Sequence, residues 1–391
     1  MVDKNANTVG EVFIRLIRRA INPDVETGFT EPPLDEEKQK LLFQLSQLHD
    51  LAHLVYMGAD NGTLLTDPEI RQKFRKAKLM SIARYEQLNL AYREITQVFE
   101  AEEIPFLPLK GARLREYYAE PWMRTSCDID LLVEKENLER AATALVERLG
   151  YRREEKIDYH DLSLYSPTNN HLELHFNILE NQANVDKLLT KVWQYCEKVD
   201  ENSVEYRQSN EFFLFHLLAH LLYHFLAGGC GVRPVLDLWV LDKKLSVNKE
   251  VFAEMLKECG LVLFYQSVMQ LASVWFDGKE HTDRTQKLEN YIFSGGVYGT
   301  FQNKMKVTGT KVKGKKGYFI RKIFCPYEVM KVKYPVLQKH KWLLPFYEVV
   351  RWIQGIFGGK IRNVKKESST LDSISKTEQA EFSELLKELG L

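Results

Sequence analysis

Two aspartates one residue apart, Asp128 and Asp130, head an otherwise apolar run, Asp128-Ile-Asp-Leu-Leu-Val133. Such a run reads as a strand, and side chains two apart on a strand leave the same face. Two like charges that close repel unless something positive lies between them. Carboxylate oxygens suit a hard divalent cation such as Mg²⁺. Upstream, Leu107-Pro-Leu-Lys-Gly-Ala-Arg113 sets a Lys-Gly step between an apolar stretch and a helical pattern. A glycine at such a turn lets a backbone approach phosphate closely.

The rest of the chain bounds the class. It has 391 residues, which predicts two or three domains, and is 45% hydrophobic and 28% charged, as a globular chain should be. Its five cysteines are scattered without a C-x-x-C pair, so neither a disulfide framework nor a thiolate zinc site is expected. The N-terminus lacks a signal-peptide apolar core, and no apolar run reaches the roughly 18 residues of a membrane span. A cytoplasmic protein without a transmembrane segment is the expectation. The net charge of zero hides an asymmetry: residues 304–366 hold 17 Lys/Arg against Glu328 and Glu348. That +15 segment either is a solvated basic face or contacts a polyanion: phosphates, nucleic acid or acidic lipid.

The hydrophobic pattern divides the chain. Residues 1–103 read as an N-terminal helical segment, with helix-like spacing over 10–22, 37–58 and 68–102. Residues 104–183 are mixed. Ile104–Leu109 bears prolines and fits an edge strand. Residues 111–119 fit a short helix, and Leu138–Leu149 a helix that Gly150 stops. Strands are expected over 151–157, 160–165 and 171–176, with a turn at Pro167–Asn170. Residues 184–369 read as a helical domain, with helices over 211–226, 234–244, 249–259 and 263–276. A terminal helix occupies 370–391. The fold class is α+β, a mixed sheet with flanking helices.

A third carboxylate gives the pattern its chemistry. In His171-Leu-Glu-Leu-His175 the period of two puts His171, Glu173 and His175 on one face. Beside the aspartate strand, Glu173 would complete a three-acid cluster able to serve two cations about 3.5–4 Å apart. Phosphate turn and metal-binding carboxylates together are the means of moving a phosphoryl or nucleotidyl group.

The run "PLKGARLREYY…P…R…DIDLLV", Gly150-Tyr151 after a helix, and "HLELHF" resemble the uncharacterised nucleotidyltransferase family of the DNA-polymerase-beta-like superfamily. The resemblance is dense over 104–177, with echoes at His53, His220, the Arg233–Asp237 pair and 324–337. It implies a polymerase-beta-like nucleotidyltransferase sheet and transfer of NMP from an NTP to an acceptor hydroxyl, dependent on Mg²⁺ or Mn²⁺, with release of pyrophosphate. It implies Asp128 and Asp130 as paired metal ligands, Glu173 as the third acid and Gly111 as the phosphate-turn glycine. Many superfamily members carry Gly-Ser at the turn where this chain has Lys110-Gly111-Ala112; Lys110 would then act on phosphate as a point charge. The acceptor, whether small molecule, protein or RNA, is not implied.

Further residues are candidates. Arg113 and Arg115 follow the turn on different helical faces, so at most one reaches phosphate, and Arg113 is the expected one. Arg124 either neutralises triphosphate or pairs with the carboxylates. His216, His220 and His224 form one helical stripe, read as buried histidines rather than a zinc site. His175, His220, Arg233 and Asp237 are placed on the acceptor side. The aromatic and basic run 341–357 fits base stacking, interfacial membrane contact or a core-packing helix. Two other functions stay open: a nucleotide- or nucleic-acid-binding protein without turnover, and a membrane-surface accessory protein.

Overall fold

The computed structural model describes residues 4–22, 32–59, 63–155, 157, 159–296, 299–311, 324–325, 327, 330–331, 334, 336–357, 370 and 373–391. The lysine run 311–316, Tyr318-Phe-Ile320 and Gly358-Gly359 lie outside them, save that Lys311 ends a helix.

Helices α1 (Lys4–Ile21), α2 (Glu36–Leu48), α3 (Ala52–Gly58) and α4 (Pro68–Ala101) precede the sheet. Asp67 starts α4 by accepting from the Glu69 and Ile70 amides, and Pro68 takes the first helical position. The helix expected over 37–58 is two. It breaks where Asp50 takes φ +53° and turns its carboxylate to Thr125 and Arg233. A distant contact, not a local breaker residue, decides that boundary.

The sheet follows: β1 (Phe106–Pro108), the short α5 (Gly111–Leu114), β2 (Asp128–Val133), α6 (Leu138–Leu149), β3 (Arg152–Arg153), β4 (Asp161–Tyr165) and β5 (His171–His175). Its strand order is β1-β2-β5-β4-β3. β2 and β5 are parallel, and the other neighbours are antiparallel. The mixed sheet expected from the sequence is therefore present, with the proline-bearing strand at an edge. β3 is shorter than the strand expected over 151–157; residues 156 and 158 lie outside the described set.

After α7 (Ala183–Leu189) comes a hairpin that the sequence did not announce, β6 (Cys196–Lys198) with β7 (Tyr206–Gln208). Helices α8 (Asn210–Ala227), α9 (Arg233–Lys244), α10 (Lys249–Cys259), α11 (Val262–Asp277), α12 (Asp283–Gly295) and α13 (Phe301–Lys311) follow. The described remainder contains α14 (Val336–Lys339), α15 (Leu344–Phe357) and α16 (Lys376–Glu388).

Two cores sandwich the sheet. One face, through Ile129, Leu131, Val133, Leu172 and Leu174, packs on Ile95 and Phe99 of α4 and Ala141 and Leu145 of α6. The larger core joins Phe13 and Ile17 of α1, Leu54 of α3, Phe215 and Leu218 of α8 and Leu271 of α11. Each large apolar side chain fully buried contributes roughly 1.5–3 kcal/mol, so the long α8, apolar on nearly every side, is held by burial rather than by helix propensity.

Candidate active site

The alternation of the sheet builds the site. With Ile129, Leu131 and Val133 facing the α4–α6 layer, Asp128 and Asp130 must face the other way. On β5 the same rule turns His171, Glu173 and His175 to the aspartates. The parallel register sets Asp130 opposite Glu173 and Asp128 opposite His171. Arg84 of α4 fastens the starts of both strands: Nη1 donates to Asn170 Oδ1 at 3.2 Å and Nη2 to the Cys127 carbonyl. A cavity of about 340 Å³ lies over this face, lined by the acids, Lys110 and Gly111 on one side and by Glu180, His220 and His224 on the other.

Electrostatics separates the two aspartates. Burial, then the charges of Asp130 and Glu173, push Asp128 up to about 6. Burial would raise Asp130 too, but Lys110 and then His175 hold its carboxyl far below the usual range. His175 Nε2 lies 3.1 Å from Asp130 Oδ1 and 3.4 Å from Glu173 Oε2. Burial works against a charged His175, yet the hydrogen bonds to Asp130 and Glu173 lift it to about 9. At neutral pH an imidazolium thus supplies part of the positive charge that the acids need. His175 belongs with the carboxylates, not with the acceptor side where the sequence placed it.

The residues fit a divalent cation. Donor atoms of Asp128, His171 and Glu173 lie within 4.8 Å of one another, as do those of Asp130, Glu173 and His175. The two groups share Glu173. Its Oε1 faces His171 at 4.0 Å and its Oε2 faces His175. As an imidazolium His175 has no lone pair to offer, so it would have to lose its proton before Nε2 could join the carboxylates on a cation. Carboxylate oxygens suit Mg²⁺ and Mn²⁺ alike.

The Lys-Gly step is a turn, but Lys110 rather than the glycine holds the unusual backbone, with φ +33°. A Cβ built on Gly111 would meet Ser126 at 3.4 Å, an ordinary contact, so packing alone does not demand a glycine there. Ser126 Oγ donates to the Asp128 carbonyl and accepts from Arg115 Nη2.

The other arginines are engaged within the fold. Arg113 lies outside the cavity: Nη1 donates to the Gln208 carbonyl at 2.7 Å and Nη2 to Asn210 Oδ1 at 2.8 Å, with the guanidinium 4.1 Å over Phe213. It ties the turn to the hairpin, which corrects its expected place at the phosphates. Arg124 lines the cavity but pairs with Asp237, Nε to Oδ1 at 2.8 Å, and not with Asp128 or Asp130. Tyr118 donates to the same Asp237 oxygen at 2.7 Å. Arg233 pairs with Asp50 at 2.5 Å, so Arg233 and Asp237 both line the cavity but do not pair with each other. His53 fixes the same loop through the Met123 carbonyl at 2.8 Å.

Across the cavity, His220 Nδ1 lies 2.8 Å from Glu180 Oε1, and His220 Nε2 lies 3.0 Å from His224 Nε2. A carboxylate only accepts, so Nδ1 of His220 carries hydrogen and its Nε2 accepts from His224. Burial, then Lys110, keep His220 well below 6.5 and therefore neutral. His216 is buried beneath, beside Gln208 Nε2 at 3.3 Å. The stripe was legible in the sequence, whereas Glu180 was not: it follows β5 with no periodic signal and meets His220 across 40 residues. His160, stacked 5.4 Å from His175, and Ser126 also line the cavity without having been singled out.

A search of the curated proteins finds no relative. Among solved structures, the antibiotic-resistance factor ANT(2'')-Ia, studied in solution, matches at 15% identity over 50% of this chain and 94% of its own, with a TM-score of 0.26. Residues 35–277, more than half of the chain and including every cavity residue named above, match the family described as uncharacterised nucleotidyltransferase. By that match the chain belongs to the uncharacterised nucleotidyltransferase family.

Proposed function

We propose that the cavity transfers NMP from an NTP to an acceptor hydroxyl and releases pyrophosphate. The convergence of Asp128, Asp130 and Glu173 next to Lys110-Gly111, in a chain of this family, carries the reading. The three carboxylates would hold Mg²⁺ or Mn²⁺. A cation there supplies charge neutralisation at the α-phosphate and at the leaving pyrophosphate. Lys110 draws the triphosphate, and the bare Gly111 lets it come close. Arg124, bound to Asp237, shapes the cavity wall rather than offering free charge.

The acceptor enters from the α8 side. Its oxygen attacks the α-phosphorus as its proton leaves, and the bond to pyrophosphate breaks. His224, whose Nε2 donates to the neutral His220, takes that proton on Nδ1. The full chain incubated with each NTP, Mg²⁺ or Mn²⁺ and cell extract should release pyrophosphate and yield a nucleotidylated molecule identifiable by mass spectrometry. Asp130→Asn should abolish both. NTP binding in calorimetry without pyrophosphate release would favour a binding protein of the same fold instead.

A further inference from the structure

The helix α15 is amphipathic the wrong way round for a core element. Trp342, in the turn that leads into it, and Phe346, Val349 and Ile353 follow one another at spacings of four, three and four, which is one stripe along a helix. All four are exposed, at 75%, 62%, 45% and 49%. Phe324, whose ring lies 6.1 Å from Trp352, adds a fifth apolar side chain at 61%.

Polar groups hold the helix to its surroundings. Glu348 is buried, accepts from the Cys325 amide at 2.6 Å and pairs with Arg351 at 2.7 Å. Gln354 accepts from the Tyr334 hydroxyl at 2.9 Å, and the rings of Tyr347 and Tyr334 lie 4.7 Å apart. Glu348 is the buried anchor, and Tyr347, Arg351 and Trp352 are half-buried, while the stripe lies exposed. Among the described residues nothing buries that stripe.

Charge says what the stripe is for. The surrounding segment 304–366 carries +15, and Lys331 and Lys341 lie over the Tyr327 ring within it. A second copy meeting this face with its own would set one basic segment against the other. An anionic lipid surface offers acyl chains to the stripe and phosphates to Lys339 and Lys341, exposed beside Trp342. No described helix is long and apolar enough to cross a membrane, so this one would lie on the surface. We propose that the exposed face Trp342–Phe346–Val349–Ile353, with the exposed Lys339 and Lys341 beside it, docks the protein onto an anionic membrane surface. This does not depend on nucleotidyl transfer.

Flotation of the full chain with two kinds of vesicle tests it: phosphatidylcholine alone, and equal parts phosphatidylcholine and phosphatidylserine. The protein should float with the second and much less with the first, and added salt should weaken binding. The triple variant Trp342→Ser, Phe346→Ser, Ile353→Ser should bind about tenfold or more weakly, as loss of the inserted apolar area requires, with its melting temperature unchanged. Trp342→Phe, which keeps the fold and the apolar area, should still bind but lose much of the fluorescence quenching by brominated acyl chains. Three results overturn the proposal: no binding of the unaltered chain to anionic vesicles at low salt, equal binding by the triple variant, or a dimer in solution that the triple variant breaks.

Discussion

Asp128 and Asp130 share a strand face but not a protonation behaviour. Lys110 and His175 keep Asp130 ionised, while burial and its two acidic neighbours lift Asp128 to about 6. Asp130→Asn removes the charge that sustains the His175 imidazolium. NMR titration should show the His175 midpoint falling from about 9 in this variant; an unmoved midpoint would falsify the pairing. Lys110 offers a second test. Its φ of +33° is strained for any residue with a side chain. Lys110→Gly should raise stability by about 1–2 kcal/mol in urea denaturation, as relief of such strain does, and weaken NTP binding in calorimetry. A variant both less stable and unchanged in NTP affinity would leave the turn with neither strain nor function. At this scale the placement of Asp128, Asp130 and Glu173 on one sheet face was legible, because residue type and spacing suffice for it. The sequence was silent on Glu180 and could not fix the partners of Arg113 and Arg124, because a guanidinium or carboxylate reaches whichever partner folding brings near.

At the scale of elements, the parallel pairing of β2 with β5 matters most. Had the register slipped by one residue, Glu173 would face the α4–α6 layer among Ile129 and Leu131. The apolar alternation of both strands forbids that slip, so the pattern that makes the core also assembles the acids. The N-terminal helices act at a distance on the same site, since Asp50 and His53 hold the loop that leads to β2. Their seat depends on Gly58 of α3, where an added Cβ would fall 2.0 Å from the Leu16 carbonyl oxygen of α1. Gly58→Ala should cost roughly 1–3 kcal/mol, the usual range for overpacking, measured as a lowered urea midpoint. A variant as stable as the parent would show that α1 and α3 part without strain.

At the scale of the molecule, buried histidines set a pH window. Burial lowers His49 to about 4 and His216 to about 3. The unfolded chain protonates both near 6.5, so below that pH it binds more protons and stability falls as pH falls, levelling only near the folded values. Each costs about 2 kcal/mol by pH 5, from 1.4 kcal/mol per pH unit. Asp128, raised to about 6, works the other way and offsets part of the loss between pH 6 and its unfolded value. His175, raised to about 9, contributes stability that is fully present below 6.5 and lost as pH rises through 9. Urea midpoints followed from pH 7 to pH 5 should decline, and His216→Gln should flatten the decline. An equal slope in the variant would remove His216 as its cause.

The sequence by itself determined the mixed sheet, most helices and the three acids, because alternation along a strand and spacing along a helix are local geometry. It also carried the family, through motifs dense over residues 104–177. Only the tertiary structure decided which arginines are engaged within the fold, that Glu180 meets His220, and that His175 sides with the acids. It alone turned the apolar stripe of α15 outward. Each of these rests on contacts between residues far apart in the chain, and a contact of that kind leaves no periodic trace in the order of amino acids.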